Sequence, residues 1–242
     1  IMPMCGRYAL SAMIAEISEE FTTAGVPERT LPVNWNIKPT EDIYIIKGAD
    51  NQRIIDVVSW GLIAPWAQDG EAALRSQSQA INARSESVAE KPTFRSSFRK
   101  YRCLIPASGY YEWATELGSF KSKQPVYISR KDSHLLAFAG IFSSWISPEG
   151  VVRKSAAIIT CDAQGELAKV HNRMPVFLPR NDWDNWLNPD LTNQDKLLEI
   201  IGNREDDRNL QFWPVKPLVN SIRNNGAELI EPIELGEPET LF

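Results

Sequence analysis

The chain has 242 residues, of which 43% are hydrophobic and 24% charged, a composition that excludes a disordered or collagen-like polypeptide and leaves room for one sizeable core. The formal charge of −5 at pH 7, taken alone, argues against bulk nucleic-acid affinity. Three scattered cysteines, Cys5, Cys103 and Cys161, make no CxxC pair, so with only His134 and His171 available no metal site is expected, and a reducing cytosol fits best. With no 18-residue apolar run and no charged-then-apolar leader, neither a membrane span nor a secretory signal is expected. Ile1 is not a translation start, so residues 1–3 are read as a leader or as added sequence, ahead of "MCGRYAL" at 4–10.

In chain order, "SAMIAEISEEF" (11–21) sets Met13, Ile14, Ile17 and Phe21 at helical spacing and predicts a first helix. "LPVNWNIKPTEDIYIIK" moves from a Pro/Asn-rich loop into an apolar strand at 43–47, and "RIIDVVSWGLI" (53–63) is a second strand, followed by an Asp-Gly turn at 69–70. The Ala-rich stretch "EAALRSQSQAINARSESVA" predicts an interrupted helix or loop that delivers Asn82 and Arg84. "RCLIPASGYYEWA" (102–114) and "PVYISR" (125–130) read as a hairpin around a long turn. The continuous apolar runs "LLAFAGIFSSW" (135–145) and "KSAAIITCDA" (154–163) suit central strands. "LPRNDWDNWLN" and "NQDKLLEIIGN" are short helices with Asn/Asp caps, the second ending at Gly202, and "LQFWPVKPLV" is a late strand. The class is therefore α+β, one domain on a bent or barrel-like, mainly antiparallel sheet with peripheral helices.

The closing "GAELIEPIELGEPETLF" carries five glutamates and no basic residue, which equals the whole net charge and leaves the remainder balanced. Within that remainder Arg95, Arg99, Lys100 and Arg102 cluster in "FRSSFRKYR", either a solvated face or one wall of a basic groove.

Four places put one reactive side chain in a tight loop between apolar runs: Cys5, "INARSES", "GYYEW" and "KVHNRMP". Glu112, between Tyr111 and Trp113, is either a desolvated general acid or an exposed position on an alternating strand. His171 is either structural or catalytic, and Asn82 and Asn36 are each either turn residues or site residues. Trp35, Trp60 and Trp66 are core or platforms for stacked bases, with core the better reading for Trp60.

Taken together, "MCGRY", "NWNIKPT", "WGLIAPWAQD", "INARSES", "F…RCLIPASGYYEW" and "HNRMPVFL" resemble, in order and approximate spacing, the SRAP family, the SOS-response-associated peptidase-like or abasic-site processing proteins. The resemblance covers nearly the whole chain and implies an SRAP domain over 4–232, with leader residues 1–3 and an acidic tail over 233–242. It implies that Cys5 becomes N-terminal and forms a thiazolidine crosslink with the aldehyde of an abasic site. By the same carry-over, Glu112 is the acid/base, His171 assists Schiff-base and elimination chemistry, and Asn82 orients Cys5 or the sugar. Arg7 and Arg84 are phosphate clamps, Trp66 lies against the bases, and Asn36 joins the DNA-binding set. The implied partner is single-stranded DNA or a single-strand/duplex junction carrying an abasic site. No cofactor, metal or membrane is implied, and a monomer, cytoplasmic and nucleoid-associated in a bacterium, is expected. Lys38 and the Ala64-Pro65 pair depart from the usual family pattern. Two alternatives stay open: a non-covalent single-strand DNA-binding module with a structural Cys5, and a cysteine peptidase acting on other proteins; cleavage of its own leader alone is compatible with the crosslinking reading.

Overall fold

The computed structural model describes residues 5–114, 123–205 and 207–234. Its strands are β1 (Tyr8–Leu10), β2 (Asn34–Ile37), β3 (Asp42–Ala49), β4 (Gln52–Trp60), β5 (Asn82–Arg84), β6 (Arg102–Ala107), β7 (Gly109–Ala114), β8 (Gln124–Arg130), β9 (Leu136–Ile146), β10 (Val152–Asp162), β11 (Arg173–Pro175) and β12 (Leu210–Pro214). The helices are α1 (Ile14–Phe21), α2 (Gly70–Gln79), α3 (Pro92–Lys100), α4 (Trp183–Leu187) and α5 (Gln194–Gly202). The α+β class expected from the sequence is the class observed.

Five strands close on themselves in the order β10-β4-β3-β6-β9 and back to β10. The closure is parallel and short, with Ser155 opposite Ser59 and Ala156 opposite Trp60. The β3–β4 hairpin turns through Asp50 and Asn51, both at positive φ, the conformation a two-residue hairpin loop requires. Beyond the closure, β10 continues and holds β5 on one edge (Ile158 opposite Asn82, Thr160 opposite Arg84) and β11 on the other (Cys161 opposite Met174). From Ser155 to Cys161 every residue of β10 is buried, so both of its faces are covered there, which is why that stretch does not alternate.

The second sheet is open, in the order β12-β8-β7-β1-β2. It packs on the barrel through aromatic edges: Tyr8 lies 5.3 Å from Trp60 and 6.0 Å from Phe138, and Tyr110 lies 6.0 Å from Phe138. The steep interplanar angles, 66° to 87°, place ring edges on ring faces, as aromatic quadrupoles favour. Trp60 is fully buried, and its indole nitrogen donates to the Ile81 carbonyl at 3.1 Å.

Several local expectations change. The 102–114 segment is two strands rather than one arm of a hairpin: β6 belongs to the barrel, and only β7 pairs with β8. Asp69-Gly70 is not a turn; Asp69 caps α2 by accepting from the Ala72 N–H at 2.7 Å. The Pro/Asn-rich loop around Asn36 is strand β2, paired with β1. Met13 stays exposed one residue before α1, whose buried face is Ile17 and Phe21. Asn193 caps α5 as expected, whereas Asp182 makes no side-chain cap at α4. The basic run becomes helix α3, because Phe94, Ser97 and Phe98 share one buried face. Leader residues 1–3 and tail residues 235–242 lie outside the described residues.

Candidate functional site

The centre is where the two sheets meet. Cys5 leads into β1 and is 3% exposed; Glu112, at 4% exposure, sits on the neighbouring β7. The backbone nitrogen of Cys5 donates to Glu112 Oε1 at 2.8 Å. On its other side β7 packs closely on β8 because Gly109 has no side chain: a Cβ there would lie 2.3 Å from the Tyr127 ring. Burial pushes the Glu112 carboxyl above its ordinary range, opposed by His171 and by the hydrogen bonds from Cys5. Burial and the adjacent Glu112 likewise push the Cys5 thiol well up, so it is held as S–H.

Cys5 adopts φ 45°, in the left-handed region that non-glycine residues populate at a cost of about 1–3 kcal/mol. That φ is the rotation about the Cys5 N–Cα bond, defined through the acyl carbon on the Cys5 nitrogen, so the strain exists only while that nitrogen is acylated.

His171 follows a single 3₁₀ turn, Leu167–Lys169, and its Nδ1 accepts from the Arg173 N–H at 3.1 Å. A neutral imidazole in that contact carries its proton on Nε2. Next to it, the buried Arg173 guanidinium is gripped by Glu86 through two nitrogens, by Asp162 at 2.5 Å and by the Thr160 carbonyl at 2.9 Å. This ion pair holds Glu86 down to about 2 and ties the loop after β5 to the loop carrying His171. Sequence reasoning passed over Glu86 and Arg173, although both lie inside motifs it singled out; nothing in one sequence shows that they meet. Tyr110, inside "GYYEW", and Cys161, on β10, also lie within electrostatic reach of Cys5.

The other candidates surround this centre. Asn82 and Arg84 lie two apart on β5 and so share one face; Asn82 is half-buried and Arg84 exposed. Trp66 is 54% exposed on the loop after β4. That loop is pinned by Ile63 N–H to Ser155 Oγ, Ala64 N–H to Ser76 Oγ and the Trp145 indole to the Ala67 carbonyl. Arg7 donates to Asn36 Oδ1 at 2.8 Å and to the Val219 carbonyl at 2.9 Å. Asn36 in turn donates to the Ser221 and Asn224 carbonyls, so this pair ties the 217–224 segment to β1 and β2. Lys38 is held by Glu41 within its own turn.

A strand-borne carboxylate on a buried cysteine nitrogen, with a histidine in electrostatic reach, beside the junction of a closed barrel and an open sheet, is a candidate nucleophile site on a β-scaffold. The family model for SOS response associated peptidase (SRAP) matches residues 4–222, and the chain belongs to this family. It is 36% identical over 229 residues to the abasic site processing protein YoqW of Bacillus subtilis, covering 94% of this chain and 99% of that one. It is 31% identical over 220 residues to the abasic site processing protein HMCES of Rattus norvegicus, covering 80% of this chain and 61% of that one. In fold it matches a solved protein of Bacteroides thetaiotaomicron with a TM-score of 0.84 at 24% identity, covering 95% of this chain and all of that one.

Proposed function

We propose that this protein processes abasic sites in DNA, taking them from single strands or single-strand/duplex junctions and capturing the sugar aldehyde covalently on Cys5. The observation that carries the reading is the Cys5 nitrogen on Glu112 Oε1, with His171 close enough to favour the charged form of that carboxylate electrostatically. Relatives named for abasic-site processing support the substrate.

The chemistry begins with release of residue 4, by hydrolysis of the bond to Cys5. Glu112 already touches the leaving nitrogen and can protonate it, because burial favours its neutral form; release also ends the strain at Cys5. The freed α-amine, with an ordinary pKa of ~8, adds to the aldehyde and loses one water to give an imine. The thiol then adds to the imine carbon while its proton passes to the nitrogen, closing a five-membered thiazolidine. Glu112 is placed to move that proton, since it lies at both nucleophilic atoms of Cys5. His171 orients the carboxylate and serves proton transfer at the sugar. Asn82 orients the ring-opened sugar, Arg84 and Arg7 take phosphates, and Trp66 stacks a base. Asn36 acts by holding Arg7.

Intact mass before and after incubation with an abasic single-stranded oligonucleotide, for protein expressed from Met4, tests this. The expected starting mass begins at Cys5, and the expected product adds the oligonucleotide less one water and resists heat and denaturant. A free Cys5 with no adduct would overturn the covalent reading and leave a non-covalent DNA-binding module.

A further inference from the structure

We infer that the exposed face of α3 is a second DNA surface, which holds the phosphate backbone of the strand flanking the abasic nucleotide. This rests on the reading of the Cys5 site above. One face of α3 is buried through Phe94, Ser97 and Phe98; Lys91, Arg95 and Arg99 follow at four-residue steps on the exposed side, with Lys100 beside them. Among the described residues, no carboxylate lies within ion-pair distance of any of these four, nor of Arg84. Elsewhere Arg29, Lys38, Lys47, Arg75, Arg130 and Arg173 are all held by acids. The only acid between residues 87 and 102 is Glu90.

Local stability does not explain the stripe. Like charges at four-residue spacing destabilise a helix by about 0.2–0.5 kcal/mol per pair. Lys91 is the N-cap, where the helix dipole repels a cation, and its side chain makes no capping bond. Only Arg99 and Lys100, in the last turn, suit the dipole. A polyanion supplies the missing partner.

The stripe is continuous with the site. Arg84 shares its face of β5 with Asn82, and two successive turns lead from it to the helix: Ser87 N–H to the Arg84 carbonyl at 3.0 Å, then Lys91 N–H to the Ser87 carbonyl at 2.9 Å. From Lys91 to Arg99 the cations extend about 12 Å along the axis. A strand crossing Asn82 and Arg84 therefore meets Lys91 next.

The test measures equilibrium binding of a single strand bearing a tetrahydrofuran abasic analogue, which has no aldehyde and cannot be trapped. A long oligonucleotide is compared with one reduced to the analogue and its immediate neighbours. For Arg95→Ala with Arg99→Ala, affinity for the long strand should fall several-fold at low salt. The slope of log K against log salt should shrink by about 0.7 per lost contact. Affinity for the short strand should be unchanged, and Arg95→Lys with Arg99→Lys should restore the slope. Unchanged long-strand binding, or equal losses on both lengths, overturns the proposal. If the long-strand loss appears while wild-type protein ignores the analogue, the α3 surface stands and the Cys5 reading falls. If wild-type protein binds no DNA, both fall.

Discussion

The closed barrel and the open sheet are built from similar buried aromatic and aliphatic side chains, yet they contribute different things. In the barrel, closure at Ser59–Ser155 and Trp60–Ala156 leaves the continuation of β10 free to hold β5 and β11 rigidly on its two edges. The open sheet keeps edges and carries the buried carboxylate of Glu112, and Cys5, at positive φ, leads into it. The barrel thus supplies the frame, and Cys5 meets Glu112 where the open sheet packs against it. Buried groups held away from their ordinary protonation states concentrate at functional sites, and Cys5, Glu112 and Cys161 are such groups brought together here.

Glu112→Gln should break this division most sharply. Crosslink formation should slow by about 10²–10⁴-fold, the range general acid–base catalysis supplies. The amide still accepts from the Cys5 nitrogen, so binding to a tetrahydrofuran analogue should persist. Because the Glu112 pKa is raised by folding, wild-type protein loses stability as pH rises through the ordinary carboxylate value towards the raised one. The variant should therefore melt higher than wild type at neutral pH, and its crosslinking should lack the acid limb that wild type shows above the usual carboxylate range. A variant that crosslinks at the wild-type rate would remove Glu112 from the mechanism.

Trp60→Ala attacks the barrel instead. It removes a fully buried indole from the closure and its contact with Tyr8, and should cost about 3–5 kcal/mol by denaturant titration. Crosslinking per folded molecule should change much less than stability does. A loss of chemistry larger than the loss of fold would show that the two sheets are not separable.

Glu86→Gln addresses the seam between them. The Glu86 side chain is half exposed, so screening limits the cost to about 1 kcal/mol at neutral pH. The Glu86 pKa is depressed on folding to about 2, so its contribution is present above the ordinary carboxylate value and is lost as pH falls from there towards about 2. Wild-type and variant melting temperatures should converge across that acid window. A constant difference down to pH ~2 would place the stabilisation elsewhere.

Much of the molecule is written in local pattern. The apolar runs of β9 and β10, the Asn193 cap and Gly202 stop of α5, and the buried Trp60 follow from side-chain chemistry that acts over a few residues. The motifs around Cys5, Glu112 and His171 were also legible, because reactive side chains stand out among apolar ones. What the sequence alone could not decide is pairing. Splitting 102–114 between two sheets depends on partners more than 20 residues away in β9 for β6, and on β1 and β8 for β7. The meeting of Glu86 with Arg173, 87 residues apart, and of the Cys5 nitrogen with Glu112, 107 residues apart, has no local signature. Composition and periodicity selected which side chains are buried. Only strand pairing in the two sheets, which fixes neighbours and register together, selected which of them touch.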